Sequence, residues 1–184
     1  TIRQPAMFIG HGSPMTMITD NIERRTLMAL GMRLPRPSAI LCVSAHWETQ
    51  GRTHLTAQPN PPTIHDFRGF PQALYDMRYP APGSVDLVER VAGLLGEDRV
   101  LRDSEWGFDH GTWGVLQPQF PAADIPVVAM SLDRALSAQD HASLGAALAH
   151  GAGQRVGTGA VCSKLMQASV IDTPCCKGTP GFWS

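Results

Sequence analysis

The stretch AILCVSAHW at residues 39–47 decides the fold, because it opens with the clearest strand in the chain. Its first five residues are all apolar, as in a central parallel strand that is covered on both faces. His46 follows this predicted strand. Ligands of open α/β sheets bind beyond the carboxyl ends of the strands, so the stretch predicts a functional site at that end of the sheet.

Strands and helices are predicted to alternate along the rest of the chain. Short apolar or alternating runs predict strands at residues 6–9, 53–56 and 125–130, with an edge strand at 99–101. Helical spacing of apolar residues predicts helices at 21–31, 84–95 and 137–149, capped by Asp20, Ser84 and Ser137, with Gly31 ending the first. Residues 57–83 and 106–113 are predicted to be loops, the first packed by its aromatic residues and containing a short helical turn at residues 71–75. This order predicts an α/β fold of three layers, with a mostly parallel or mixed central sheet and helices on both faces.

The length and composition are typical of one globular domain. The chain has 184 residues, of which 43% are hydrophobic and 17% charged, with a formal net charge of −1. That balance argues against nucleic acid or an anionic membrane as partner. No apolar run approaches the roughly 20 residues that span a bilayer, and the first residues lack a signal-peptide pattern. We therefore predict a cytoplasmic protein.

His11 and His46 form a candidate metal pair, because each follows a predicted strand. His11 lies in the segment GHGSP at residues 10–14, where flanking glycines allow a sharp turn and leave room for the ring. Either histidine alone is better explained as a hydrogen-bonded residue at a strand end. The pair at matching positions favours a site for Zn(II) or Fe(II), provided that the two strands are neighbours. Glu48 is either a third ligand or a solvated carboxylate.

His110, Asp109 and His65 are the other candidate site residues. His110 lies between two tryptophans and beside Asp109, which suits an acid/base or substrate-binding group, although a histidine packed between indoles is nearly as good an explanation. Asp109 either orients a ring or caps a turn. His65 is a candidate for the same roles as His110. The remaining histidines are predicted to be structural (His54) or solvated (His141 and His150). Cys42, within the apolar run, is predicted to be buried. The other cysteines, Cys162, Cys175 and Cys176, lie late in the chain, and the adjacent pair Cys175 and Cys176 has neither the spacing of a zinc site nor that of a disulfide framework.

Six motifs in order together resemble the class III extradiol ring-cleavage dioxygenases, most closely those of the 4,5-DOPA dioxygenase type in the LigB-like superfamily. The resemblance covers about residues 5–149. The motifs are GHGSP (10–14), SAHW (44–47), PPTIHDF (61–67), FPQALY (70–75), YPAPG (79–83) and WGFDHGTWGV (106–115).

The resemblance implies a mononuclear non-haem iron(II) enzyme, with zinc found in the same pocket of some members. Its substrates would be a small aromatic diol and O2. It implies that His11 and His46 bind the metal, that His110 moves protons near substrate and oxygen, and that His65 and its neighbours line the pocket. The alternatives are a zinc-dependent hydrolase on a similar scaffold and an inactive remnant that binds aromatic ligands.

The last part of the chain departs from the family's pattern. We expect a single domain over residues 1–184, in which 1–150 are family-like and 151–184 form an atypical tail. Two further histidine motifs of the family, one of them a third metal ligand, are not found there. We interpret the tail as out of frame, or else as a divergent short form. The expected consequences are weak metal occupancy, an uncovered sheet edge and association into a homo-oligomer through exposed apolar surface.

Overall fold

The computed structural model describes residues 5–152 and 158–163 of the chain. Its strands are β1 (Ala6–Ile9), β2 (Ala39–Thr49), β3 (Thr53–Thr56), β4 (Val100–Asp103), β5 (Val127–Asp133) and β6 (Thr158–Ser163). Its helices are α1 (Ile22–Arg33), α2 (Gln72–Tyr75), α3 (Val85–Leu95), α4 (His110–Gln119) and α5 (Ala138–Ala152), with a 3-10 turn at Pro14–Met17. The described residues include no helix that is both long and apolar enough to cross a membrane.

The six strands form one mixed sheet in the order β1-β6-β2-β5-β3-β4. The first four run parallel, β3 is antiparallel to β5, and β4 is parallel to β3 at the far edge. The predicted α/β class, the mixed sheet and the edge position of β4 are confirmed.

Strand β6 corrects the assumption that the strands associated with His11 and His46 are neighbours. It lies between β1 and β2 and pairs with both in parallel, so β1 and β2 are not neighbours. The sequence pattern predicts no strand here, because residues 158–163 are mostly small and carry only one β-branched aliphatic residue.

Apolar residues cover the sheet on both faces. Along β2, Ile40 and Cys42 belong to one buried cluster, whereas Ala39 and Leu41 belong to a second. The first cluster includes residues of α1 and α4, and the second includes residues of α3 and α5. Since successive side chains of a strand point to opposite faces, the two clusters confirm the predicted three layers.

Helix α1 differs from its prediction at both ends. Asn21, rather than Asp20, is the cap: its side chain accepts a hydrogen bond from the backbone N–H of Arg24. The helix also continues through Gly31 instead of ending there. A Cβ at Gly31 would lie 2.2 Å from the backbone oxygen of Gln119, so this glycine allows α1 to approach α4 closely. Its role is packing, which local sequence signals do not distinguish from helix termination.

Helix α4 replaces the second half of the predicted loop at residues 106–113. It begins at His110, and Asp109 is its cap. Two glycines and Pro118 lie within its span and weakened the helical pattern. The helix is almost entirely buried, so tertiary packing stabilises it despite this composition.

Candidate metal centre

Three imidazoles from distant parts of the chain meet at one end of the sheet. His11 follows β1 and is only 3% exposed. His46 was predicted to follow a strand, but it lies within the longer β2, near an irregularity in the pairing with β5 between Val43 and Glu48. His110 is the first residue of α4 and is 8% exposed.

The geometry of the three rings is compact. The Nε2 atoms of His11 and His46 are 2.9 Å apart. The ring centroid of His110 is 4.1 Å from that of His46 and 5.1 Å from that of His11. One nitrogen of each ring lies within 4.8 Å of the other two, so the three can face a common point.

Asp109 fixes the start of α4 beneath this group. Its carboxylate accepts hydrogen bonds from the hydroxyl of Ser44 at 2.8 Å, the backbone N–H of Thr112 at 3.0 Å and the indole N–H of Trp106 at 3.3 Å. Asp109 is fully buried, and this burial raises the pKa of its carboxyl group. Of the two roles that the sequence allowed, the structure gives Asp109 that of the cap. It ties α4 to β2 through Ser44.

Asp66 is the carboxylate that contacts His110, and it was not among the residues predicted individually for the site. Its Oδ1 lies 2.8 Å from the Nδ1 atom of His110 and accepts the backbone N–H of the same residue, also at 2.8 Å. Its Oδ2 lies 3.8 Å from the Nδ1 atom of His46. The only sequence signal was its place beside His65 in a motif of the resemblance.

The electrostatics of the site favour neutral imidazoles at His11 and His46. Burial, assisted by the nearby His110 and His46 rings, lowers the pKa of His11 to about 4. Burial and His110 also lower the pKa of His46. At Asp66, burial would raise the pKa, but hydrogen bonds from the side chain and backbone of His110 outweigh it and lower the pKa. The site therefore combines neutral nitrogen donors with one ionised carboxylate behind them.

This donor set fits a divalent metal ion. Two nitrogens that bind one metal at about 2.1 Å lie roughly 3 to 3.4 Å apart, which is close to the His11–His46 separation of 2.9 Å. Neutral imidazole is the form that binds metal, and a carboxylate behind a histidine is a common partner at such sites.

Comparison with known proteins identifies the family. The family model described as the catalytic LigB subunit of aromatic ring-opening dioxygenase matches residues 5–154. The chain belongs to the LigB family.

Relatives of this LigB chain include named dioxygenases. It is 56% identical over 148 residues to the 4,5-DOPA dioxygenase extradiol of Escherichia coli K12, a match that covers 80% of this chain and 54% of the relative. It is 41% identical to the enzyme of the same name from Beta vulgaris, covering 77% of this chain and 55% of the relative.

A solved structure shares the fold. An uncharacterised Escherichia coli K12 protein superposes with a TM-score of 0.72 at 44% identity, covering 88% of this chain and 59% of that one. The LigB chain therefore spans little more than half the length of these relatives.

The other predicted site residues lie outside the three-histidine group. His65 lies 3.1 Å, through Nε2, from the backbone oxygen of Met77, and its ring contacts Phe67, Tyr75 and Trp113. Glu48 is exposed and lies 3.7 Å from Arg134, as expected of a solvated carboxylate.

The remaining predictions concern histidines and cysteines away from the site. His54 pairs with Asp103, in keeping with a structural role, and Cys42 is buried as predicted. His141 is only partly exposed and its Nε2 atom is buried, contrary to the prediction that it is solvated. The side chains of His150, Cys162, Cys175 and Cys176, and most of the predicted atypical tail, lie outside the described residues.

Proposed function

We propose that this LigB chain belongs to an extradiol dioxygenase that opens the aromatic ring of a catechol-type substrate with O2. The observation that carries the proposal is the meeting of His11, His46 and His110 within 4.8 Å at the end of the sheet, in a chain of this family. The names of the relatives indicate a DOPA-like catechol as the substrate class.

We propose Fe(II) as the working metal and Zn(II) as an occupant that fits the same nitrogens. A redox-active ion bound there would supply a coordination site for the diol and an electron path between substrate and O2. Zinc has no accessible redox change, so it suits binding but not this oxidation.

His11 and His46 are proposed to hold the metal. The pKa of each is lowered from its ordinary value, so both rings are neutral at pH 7 and their lone pairs are available without proton release. His11 is almost fully buried, so little water can compete with a metal ion for its ring nitrogen.

His110 is proposed to move a proton at the catechol hydroxyl. Its Nδ1 atom is occupied by Asp66, which leaves Nε2 for the site. The Nε2 lone pair can accept a proton from the diol, and the resulting N–H can return it as the ring opens.

An aromatic wall beside His110 is proposed to receive the substrate ring. The ring of Phe67 lies 5.6 Å from that of His110 and 5.7 Å from that of His65, at a near-perpendicular angle to each. Edge-to-face contacts of this kind favour a flat aromatic ligand.

The test is oxygen uptake by iron-loaded protein. We expect anaerobic Fe(II) loading followed by DOPA or catechol in air to give O2 consumption and a yellow ring-opened product. His11→Ala and His46→Ala should abolish both. His141→Ala should retain them, because this histidine lies on α5 and is not in the three-histidine group.

Other outcomes would replace this proposal. Ester or amide hydrolysis by zinc-loaded protein without O2 consumption would support a metal hydrolase. Catechol binding without turnover by fully iron-loaded protein would indicate a binding remnant.

A further inference from the structure

Asp66 lies close to two of the three histidines, His110 and His46. Among the described residues, no other carboxylate forms a hydrogen bond or ion pair with this group. One oxygen accepts the backbone N–H of His110 and lies 2.8 Å from its Nδ1 atom. The other oxygen faces the Nδ1 atom of His46 at 3.8 Å. The side chain of Asp66 is 18% exposed, so water competes only partly for these contacts.

The segment before Asp66 is fixed to the start of α4. The backbone N–H of Ile64 donates to the oxygen of Phe108 at 2.7 Å, and that of Phe108 donates to the oxygen of Pro62 at 2.8 Å. The indole N–H of Trp113 donates to the oxygen of Ile64 at 2.9 Å. Asp66 and His110 are 44 residues apart in sequence, but these bonds hold their backbones in register.

A carboxylate that contacts one ring nitrogen selects the tautomer of a neutral histidine. Neutral imidazole has one N–H and one lone pair. With the proton on Nδ1, His110 donates to Asp66, and its Nε2 lone pair is left for the site. With the proton on Nε2, a lone pair would face an ionised oxygen at 2.8 Å, and Nε2 would carry hydrogen into the site.

We propose that Asp66 is a positioning residue that holds His110 in the Nδ1–H tautomer, with the Nε2 lone pair directed toward His11 and His46. The consequence for catalysis rests on the proposed function, because only that tautomer can accept a proton from a bound diol at Nε2. The structural part of the proposal applies to the protein whether or not it turns over a substrate.

His54 and Asp103 provide a matched control. They form a second histidine–carboxylate pair, with a separation of 2.9 Å, and His54 is not in the three-histidine group. Asp103 also accepts backbone N–H groups, from Glu105 and Trp106, just as Asp66 accepts that of His110. Removing either carboxylate therefore removes the same kinds of contact, but only one of them lies at the site.

The experiment measures histidine tautomers by two-bond 1H–15N NMR on metal-free, ring-labelled protein at pH 7.5. His110 of the unmodified protein is expected to carry its proton on Nδ1. In Asp66→Ala the proton should move to Nε2. Asp66→Asn, whose amide oxygen can still accept, should retain the proton on Nδ1, and Asp103→Ala should leave the His110 signals unchanged.

Zinc affinity gives a second readout. One nitrogen of each of the three rings lies within 4.8 Å of the other two, so the free Nε2 lone pair of His110 is also available to a zinc ion held by His11 and His46. Carboxylate partners of zinc-binding histidines commonly contribute 10–100-fold to metal affinity, so Asp66→Ala should weaken Zn(II) binding by about that factor. Asp66→Asn should weaken it less, and Asp103→Ala should not change it. Circular dichroism verifies that each variant is folded.

The outcomes separate this inference from the proposed function. A proton on Nε2 of His110 in the unmodified protein, or an unchanged Nδ1 proton in folded Asp66→Ala, overturns the inference even if the enzyme is active. The expected tautomer series in a protein without oxygenase activity supports the inference and rejects the proposed function.

Discussion

Substitution of Gly107 by alanine should both destabilise the protein and weaken its metal site. A Cβ at Gly107 would lie 2.0 Å from the backbone oxygen of Pro62, where ordinary contact begins near 3.4 Å. The two segments would have to separate by about 1 Å or more, and backbone atoms, unlike the end of a flexible side chain, move at a high cost.

The size of the effect follows from the contacts that this separation breaks. Overpacking costs about 1–3 kcal/mol. The Phe108-to-Pro62 and Ile64-to-Phe108 hydrogen bonds, at 2.8 and 2.7 Å, would lengthen or break, at roughly 1 kcal/mol each. We therefore expect Gly107→Ala to lower the free energy of unfolding by about 3–5 kcal/mol. Because the same segment carries Asp66, Zn(II) affinity should fall as well.

Urea unfolding followed by circular dichroism measures the change, and competition with a zinc chelator measures affinity. Gly93→Ala is the control, since it lies in α3 with nothing within 4 Å of the added Cβ. That variant should gain about 0.5–1 kcal/mol, because alanine favours helix more than glycine does. A loss below about 1 kcal/mol in Gly107→Ala would show that the close approach to Pro62 is not a constraint.

Three further predictions concern the site itself. The pKa of His11 falls to about 4 on folding, so the unfolded chain binds the proton first as the pH falls. The free energy of unfolding of the metal-free protein should therefore decrease by at most about 3 kcal/mol between pH 7 and 4. His11→Gln should remove this part of the pH dependence, measured by urea unfolding. Zinc at about 100 times its dissociation constant should stabilise the folded protein by roughly 2.7 kcal/mol, measured as a rise in thermal midpoint that EDTA reverses and that is missing in His46→Ala. Asp109→Ala should cost about 3 kcal/mol by removing the α4 cap and leaving the Ser44 hydroxyl without its partner, and a loss under 1 kcal/mol in urea unfolding would reject that role.

Local sequence pattern was sufficient for most of the fold. The apolar run that opens β2 and the helical spacing of α3 indicate which residues are buried, so the fold class and the layers could be predicted. Ser84 and Ser137 were recognisable as caps because each is a serine directly before a predicted helix. Strand β6 and helix α4 could not, because their residues have weak intrinsic preference and adopt their conformations through neighbours.

The site residues also fall into those that the sequence predicted and those that only the structure brought together. The sequence by itself determined the candidate pair His11 and His46, since a histidine near the end of an apolar strand can be recognised from the order of residues alone. Only the tertiary structure decided that His110 joins them and that Asp66, rather than the adjacent Asp109, contacts its ring. The physical reason is that a helix cap and a ring partner are both carboxylates in the sequence, and which one is buried under the helix and which one reaches the imidazole depends on how the segment at residues 62–66 docks against α4.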